Sequence, residues 1–194
     1  MRRDVTVGQF LDIAEESAWT LIPDDEHAAR ALRIVSLKSA RYSVEHPLLL
    51  GAALAGADAE QHAALSAFGR PLGIAFQLRD DVLGVFGDPE VTGKPAGDDL
   101  REGKRTLLVA LTRAAVPAGI RQAIDELLGE PGLGDEQIGL LRATMRDSGA
   151  LERVEEIIAT SAKEAERALS GAALDNASVS ELRELARAAT VRTS

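Results

Sequence analysis

The sequence predicts an all-α protein. Its 194 residues are 45% hydrophobic but only 3% aromatic, and much of the apolar content is Ala and Leu. Alanine favours helices, whereas aromatic and β-branched residues favour strands. Apolar residues recur at helical spacing through most of the chain, and no strand-like alternation of any length is visible. The length fits one domain, so residues 1–194 are predicted to form a single all-helical domain.

The N-terminal third contains three predicted helices. Periodic apolar residues place the first across positions 10–17. The second is predicted to begin after the capping pair Asp24-Asp25 and to run toward Tyr42, with Pro47 kinking or restarting it. Residues 48–56 are almost entirely apolar, which predicts a short buried helix.

The middle of the chain combines a long helix with a long loop. The helix is predicted from Asp58 to about Val85, and Pro71 inside it should bend it or break it. Residues 87–103 contain four glycines and two prolines without a clear apolar period, which predicts an ordered loop of unusual length. Further helices are predicted at 106–115, 118–129, 135–147, 149–170 and 178–190.

The composition narrows the classes of function. A net charge of -9 without a Lys/Arg block argues against nucleic acid as a partner. The absence of cysteine excludes disulfides, thiolate metal sites and cysteine nucleophiles. No signal peptide is visible, and the most apolar run, 47–57, is too short to span a bilayer, so a cytoplasmic protein is predicted. The three histidines lack metal-ligand spacing and are predicted to lie at the surface; Trp19 is predicted to be packing.

An acidic pair on the long helix indicates a metal site. Gln77, Asp80, Asp81 and Gly84 fall within an arc of roughly 100° and so share one helix face. Adjacent carboxylates repel each other unless a cation lies between them. Mg²⁺ is usually held by one or two carboxylates together with substrate phosphates, so Asp80 and Asp81 are candidate metal ligands.

The loop that follows offers positive charge for an anion. Lys94 and Lys104 could supply the counter-charges of a phosphate group held by that metal. The alternative is a solvated acidic helix turn followed by an ordinary loop. The spacing of Gln upstream and of Gly, Lys and Asp downstream favours the metal–phosphate site.

Three motifs in this order resemble those of one enzyme family. The segment FQLRDD at 76–81, followed by GK at 93–94, GDDL at 97–100 and GK at 103–104, resembles the second aspartate-rich region of the trans-isoprenyl diphosphate synthases. This family, the polyprenyl synthetases, includes farnesyl and geranylgeranyl diphosphate synthases. GQFLD at 8–12 is similar to its G-Q-x-x-D helix, and KSARY at 38–42 is similar to its K-T helix motif, with Ser in place of Thr. The resemblance covers essentially the whole chain, but only the C-terminal part of an isoprenoid-synthase-type helical bundle.

The resemblance implies prenyl transfer, in which isopentenyl diphosphate condenses with an allylic diphosphate after Mg²⁺-assisted ionisation. It implies that Asp80 holds the Mg²⁺ bound to the allylic diphosphate, that Asp81 supports this metal through water, and that Lys38 and Lys94 contact the diphosphate as further catalytic residues. The remaining residues that it implies for substrate binding are Gln9, Asp12, Ser39, Tyr42, Gln77, Asp99 and Lys104.

The sequence departs from the family pattern in two places. Gly84 occupies the third aspartate position of D-D-x-x-D, and no first D-D-x-x-D motif with paired arginines precedes Gln9. An incomplete synthase that is inactive as the isolated chain is therefore expected. The alternative is a non-catalytic partner or regulatory subunit of a full-length synthase. A class I terpene cyclase is disfavoured because the N-D-x-x-S-x-x-x-E pattern is absent. A homodimer or an association with a full-length synthase is expected.

Overall fold

The computed structural model describes residues 2–93, 95 and 97–190; it consists of helices joined by turns and loops, with no strand among these residues. The prediction of an all-α fold is confirmed. Eleven α-helices are found in the described part of the chain, numbered in chain order: α1 Arg2–Ala18, α2 His27–Ile34, α3 His46–Leu54, α4 Ala59–Phe86, α5 Pro89–Thr92, α6 Asp98–Arg101, α7 Leu107–Ala115, α8 Ala118–Leu127, α9 Asp135–Asp147, α10 Ala150–Leu169 and α11 Asn176–Thr190. Among them, none combines the length and the hydropathy that crossing a bilayer requires.

Local signals account for most helix starts. The Thr106 side chain accepts a hydrogen bond from the Val109 N–H at the start of α7, and Asp88 accepts one from the Glu90 N–H at the start of α5. Before α9, the Gln137 side chain accepts a hydrogen bond from the Gly134 N–H. These contacts satisfy amide groups that have no partner within the helix.

The second predicted helix is divided in two by a change of helical geometry. α2 continues into a π-helical segment, Val35–Glu45, in which hydrogen bonds reach five residues back rather than four. At its end the His46 N–H donates to the Arg41 carbonyl. Pro47 then lies in the first turn of α3, which continues directly from the π-helical segment, since Glu45 and His46 both have helical backbone angles. The change from π-helix to α-helix thus occurs next to Pro47, and the expected kink or restart stays a prediction.

Two predictions need correction, one about α3 and one about the loop. Residues 48–56 are not a buried helix: in α3 only Ala52 is buried, whereas Leu50 and Leu54 are 55% and 90% exposed. α4 passes through Pro71 without a break, so the bend that Pro71 was expected to cause as the alternative stays a prediction. The predicted loop at 87–103 contains two short helices, α5 and α6.

The chain divides into two compact units. Of the described residues, unit 1 comprises those at 2–11, 33–79 and 157–190, and unit 2 comprises those at 12–32 and 80–156. The prediction that residues 1–194 form a single domain stays a prediction.

Unit 1 has an apolar core formed by α3, α4, α10 and α11. Its most buried members are Phe68 and Ala165, with 1% and 0% exposure. A cavity of about 350 Å³ lies beside this core and is lined largely by apolar side chains, among them Leu72, Phe76 and Leu185. Close burial of these side chains provides the main stabilisation of the unit.

In unit 2, α7 packs against α8 and α9. Four consecutive residues of α7, from Leu107 to Ala110, are each only 1% exposed, so this helix is surrounded on all sides. Ile138 and Met145 of α9 are buried with it. The helix that carries the acidic pair contributes Val82 and Val85 to the same core.

Candidate functional site

The acidic pair lies on α4, as predicted, and its two members differ in environment. Asp80 is exposed, whereas Asp81 is 8% exposed. Val82 and Val85 anchor this part of the helix in the core of unit 2 and so fix the direction in which it presents Asp80. One turn further on, the backbone of Gly84 lies directly against the carboxyl group of Asp99, with no space for a side chain at position 84.

Asp99 of the short helix α6 and Lys104, three residues after that helix ends, form an ion pair. The Lys104 Nζ donates to Asp99 Oδ1 at 2.5 Å and also lies 2.9 Å from Glu102 Oε2. Burial opposes the charge of Lys104, but the hydrogen bonds to these two acids raise its pKa above the ordinary value. Lys104 is therefore firmly protonated while its side chain remains 43% exposed and within reach of an anion.

The environment of Asp99 shows that Asp80 lies near this pair. Burial raises the pKa of Asp99, and the charges of Glu102 and Asp80 raise it further, against the opposing hydrogen bond from Lys104. The charge of Asp80 thus acts on Asp99, the carboxylate that pairs with Lys104. Lys94, the other cation predicted in this loop, lies outside the described residues.

Lys38 and Ser39 lie on the π-helical segment of unit 1, and close contacts with two glycines hold that segment in place. A Cβ atom on Gly8 of α1 would lie 2.6 Å from the Lys38 backbone nitrogen, and one on Gly73 of α4 would lie 2.6 Å from the Ala40 Cα. Only glycine allows backbones to approach so closely. The Gly8 of the GQFLD motif therefore sets the position of the KSARY motif.

The other predicted substrate-binding residues are divided between the units. Gln9, Tyr42 and Gln77 belong to unit 1, and Asp12 belongs to unit 2. Gln9 is exposed, and Tyr42 is 44% exposed. Their assembly with Asp80 and Asp81 into one site stays a prediction.

The carboxylates described in unit 2 fit a metal ion that takes few of its ligands from the protein and most of them from water and from a bound phosphate compound. Within the described part of the chain, no three acidic or histidine side chains are grouped so that they could hold a metal ion. A closed protein cage is thus not formed by these residues. Mg²⁺ commonly takes only one or two carboxylates from the protein and fills its other positions with water and phosphate oxygens. The exposed Asp80 carboxylate fits that arrangement, and the protonated Lys104 of the same unit could contact the phosphate.

A buried polar network in unit 2 is not apparent from the sequence. Glu15 and His27 are 1% and 0% exposed and bond to each other, and Trp19 stacks on the His27 ring with centroids 3.8 Å apart. The prediction that all three histidines lie at the surface is therefore wrong for His27. Trp19 is packed as predicted, with 2% exposure. Trp19 also donates a hydrogen bond to Asp125, 106 positions away along the chain. Residue spacing within a short window of sequence cannot predict such a contact.

Asp24 takes part in a connected network rather than capping α2. Its carboxylate accepts hydrogen bonds from Arg113 and Arg121. Burial works against its ionisation, but these two arginines outweigh that effect and lower the pKa of Asp24. Arg113 also donates to Asp125 at 2.8 Å, so α7 and α8 are tied to the segment before α2.

Comparison with known proteins identifies relatives of the chain. The family model described as polyprenyl synthetase matches residues 1–139. Geranylfarnesyl diphosphate synthase of Aeropyrum pernix is 40% identical over 151 residues, which are 78% of this chain and 44% of that protein. The (2E,6E)-farnesyl diphosphate synthase of Mycobacterium bovis is 39% identical over 130 residues, or 67% of this chain and 34% of that protein.

Solved structures share the fold over the whole chain. Geranylgeranyl pyrophosphate synthase from Corynebacterium glutamicum, complexed with isoprenyl diphosphate and magnesium, matches with a TM-score of 0.91 and 39% identity, covering 100% of this chain and 53% of that one. Polyprenyl synthase from Caulobacter crescentus, complexed with calcium and isoprenyl diphosphate, matches with a TM-score of 0.84 and 31% identity, covering 99% and 56%. The chain thus has the all-α isoprenoid synthase fold and spans about half the length of the relatives that it matches.

Proposed function

The chain belongs to the polyprenyl synthetase family, and we propose that it supplies metal-binding and diphosphate-binding groups for prenyl transfer. In this reaction the carbon–oxygen bond of an allylic diphosphate breaks and pyrophosphate leaves. The double bond of isopentenyl diphosphate forms a new carbon–carbon bond to the resulting cation. Loss of a proton then restores a double bond in the product.

The proposal rests on one observation in unit 2: the buried Asp99 carboxylate binds the Lys104 ammonium group at 2.5 Å, and that group stays protonated and 43% exposed. The segment that carries this pair follows the helix that presents the exposed Asp80 carboxylate, whose charge acts on Asp99. Carboxylates alone suit a cation and lysines alone suit an anion. Both together fit a diphosphate with its divalent cation.

Each residue has a distinct part in the proposed step. Asp80 would hold Mg²⁺, and Asp81 would support that metal through water. Lys104 of unit 2 would supply positive charge to the diphosphate. The family resemblance adds Lys38 and Lys94 as diphosphate contacts, and it adds as substrate-binding residues Gln9, Asp12, Ser39, Tyr42, Gln77 and Asp99. Mg²⁺, when bound, disperses the charge that the departing pyrophosphate acquires. Fixed ammonium groups stabilise the same charge without having to reorganise.

A related structure that was solved with bound ligands supports this assignment. The Corynebacterium glutamicum structure contains isoprenyl diphosphate and magnesium, and this chain shares 39% of its residues over the aligned length. A cytoplasmic location stays a prediction.

Binding of inorganic pyrophosphate tests the proposal directly. Calorimetry of residues 1–194 with pyrophosphate should show binding that requires Mg²⁺, because Asp80 carries a negative charge and would hold the anion only together with a cation. Asp80→Asn should weaken this binding about tenfold or more, since a carboxylate ligand is lost. Asp147→Asn, at an exposed aspartate that ends α9 in the same unit, should bind as the parent chain does. Equal binding with and without Mg²⁺, or an unchanged Asp80→Asn variant, would contradict the proposal.

A partner subunit of a full-length synthase is the second candidate. Phe10 of α1 and Leu54 of α3, both in unit 1, are 68% and 90% exposed. Exposed apolar side chains of this size favour association with another chain, which includes a second copy. In this case residues 1–194 alone should not elongate an allylic diphosphate with labelled isopentenyl diphosphate. Clear elongation by the purified chain would exclude a purely non-catalytic role.

A further inference from the structure

Lys104 is followed directly by a second cation, Arg105, which lies in a different environment. The Lys104 side chain is 43% exposed, whereas that of Arg105 is 16% exposed. The central guanidinium carbon of Arg105 lies 5.1 Å from the centroid of the Trp19 ring, within the range of a cation–π contact. Its Nη1 lies 4.0 Å from Asp125 Oδ1. The residue next to the proposed diphosphate contact is therefore anchored inside unit 2.

The surface against which Arg105 packs is itself fixed by buried contacts. Trp19 is 2% exposed, and its ring stacks on that of His27 with centroids 3.8 Å apart. The Trp19 Nε1 donates to one oxygen of Asp125 at 3.0 Å, and Arg113 donates to the other oxygen at 2.8 Å. Trp19 and Asp125 thus have partners of their own, so they form a rigid surface for the guanidinium.

The electrostatics of Arg105 argue against a purely stabilising role. Burial lowers the pKa of Arg105, and the charge of Arg113 lowers it further, against the opposing charge of Asp125. The Arg105 Nη1 is buried and has no hydrogen-bond partner among the residues that the structure describes. A buried cation that is paired so loosely contributes little to stability. Its contacts do, however, fix the course of the chain at position 105.

The backbone on either side of Arg105 is held as well. The Lys104 N–H donates to the Asp99 carbonyl at 3.0 Å. The Thr106 side chain accepts a hydrogen bond from the Val109 N–H at the start of α7. These three consecutive residues are thus attached in turn to α6, to the buried ring and to α7, which leaves the Lys104 backbone little freedom to move.

We propose that Arg105 is a positioning residue of the diphosphate site: by packing on Trp19 beside Asp125, it fixes the backbone from which Lys104 extends its ammonium group. A fixed ammonium group stabilises the charge of pyrophosphate without reorganising, and a mobile one loses part of that effect. Arg105 acts only through Lys104 and does not itself touch the anion. This inference rests on the proposed function, because Lys104 matters here as a contact for the diphosphate.

A double-mutant cycle separates an effect through Lys104 from a general one. Arg105→Lys keeps the net charge but replaces the planar guanidinium, and an ammonium group cannot stack on the ring and reach the carboxylate in the same way. The change is made in the parent chain and in a Lys104→Gln background. Arg153→Lys is the matched control, because Arg153 lies in the same unit with 65% exposure. Calorimetry measures the affinity for pyrophosphate in Mg²⁺.

We expect Arg105→Lys to weaken pyrophosphate binding about fivefold in the parent chain, because the ammonium group of Lys104 is then less well placed. Lys104→Gln should itself weaken binding about tenfold, the effect of one lost charge-assisted contact. In that background Arg105→Lys should change the affinity by less than about twofold, since no ammonium group is left to position. Arg153→Lys should bind as the parent chain does.

The fluorescence of Trp19 shows whether the surface under Arg105 stays intact, because Trp19 is the only tryptophan of the chain. Its emission maximum should remain at the parent wavelength in Arg105→Lys, which separates a misplaced Lys104 from local unfolding. Should this variant unfold, Arg105→Met takes its place in the cycle, because it retains an apolar stem on the ring without a buried charge. Arg153→Met is then the control.

The inference is overturned if Arg105→Lys binds pyrophosphate as Arg153→Lys does, or if it weakens binding by the same factor with and without Lys104. Weaker binding that occurs only together with a red shift of the Trp19 emission would also overturn it, because the loss would then follow from local unfolding. Failure of the proposed function gives a different result. If the parent chain binds pyrophosphate in a manner that depends on Asp80 and Lys104 while Arg105→Lys has no effect, only the inference fails; if the parent chain does not bind pyrophosphate, both fail.

Discussion

The Glu15 carboxylate lies 2.8 Å from Nδ1 of His27, and neither side chain is more than 2% exposed. The other oxygen of Glu15 accepts a hydrogen bond from Arg30 Nε at 2.6 Å, so the buried charge has two partners. A buried carboxylate without partners would cost several kcal/mol. This pair therefore ties the end of α1 to α2 inside unit 2.

His27→Ala should destabilise the protein by about 3 kcal/mol, because it removes both a hydrogen bond to a buried carboxylate and the ring that stacks on Trp19. His62→Ala, at a partly exposed histidine of α4, should change the free energy of unfolding by no more than about 0.5 kcal/mol. Urea unfolding followed by circular dichroism measures both. Equal stability of the two variants would show that the buried pair has no energetic weight.

Arg113→Lys should destabilise the protein by about 2 kcal/mol, although the positive charge is kept. The guanidinium is 7% exposed and donates one nitrogen each to Asp24 and Asp125, a fork that an ammonium group cannot reproduce. Arg153→Lys is the control, since that side chain is 65% exposed and pairs with Glu156 three residues away. Exposed pairs of this kind contribute about 0.5 kcal/mol or less. Chemical unfolding of the two variants side by side tests this difference; a loss of equal size in both would contradict it.

Glu45→Gln should reduce the loss of stability in acid. Burial raises the pKa of Glu45, but hydrogen bonds from Ser66 and Arg70 outweigh it and leave the pKa below its ordinary value. A carboxyl with a lowered pKa in the folded state contributes stability that is present above its unfolded pKa of about 4.5 and is lost as the pH falls through its folded pKa. The variant lacks this contribution.

The free energy of unfolding of Glu45→Gln should therefore lie about 2 kcal/mol below that of the parent chain at pH 7 and approach it below about pH 4. Glu164→Gln, at an exposed residue of α10 in the same unit, should follow the parent curve throughout. Denaturant titrations at a series of pH values measure the two curves. A constant gap between Glu45→Gln and the parent chain would be the contradicting result.

Local chemistry explains which parts of the fold could be predicted. Thr106 and Pro47 act within a few residues of themselves, so the helix boundaries they mark were predicted to within a few positions. Burial depends on neighbours distant in sequence, and for that reason Leu54, in an apolar run, was wrongly predicted to be buried. His27 was wrongly predicted to be exposed, because the residues that bury it are not apparent from its sequence neighbours.

The candidate site also has features that the sequence predicts and one that it does not. The helix of Asp80 and Asp81 follows from apolar spacing, and the protonated Lys104 in the following loop follows from motif order. The position of Asp99 against Gly84 does not, because it depends on how a loop folds back over fifteen residues onto a helix. From the sequence, Gly84 was interpreted as the loss of a carboxylate; the structure places another carboxylate in that space.

Gly73→Ala should be more destabilising than a helical Gly→Ala change usually is. Alanine normally stabilises a helix interior by about 0.5–1 kcal/mol relative to glycine. At position 73, however, the added methyl group would lie 2.6 Å from the Ala40 Cα and 2.8 Å from the Ala40 carbonyl oxygen. These are backbone atoms of the π-helical segment, so relief requires the helices to separate, and a net loss of about 2–3 kcal/mol is expected. Gly51→Ala, in exposed α3 with nothing within 4 Å, should instead gain stability. Thermal unfolding measures both variants, and a Gly73→Ala protein as stable as Gly51→Ala would mean that α4 does not pack directly on the backbone that carries Lys38 and Ser39.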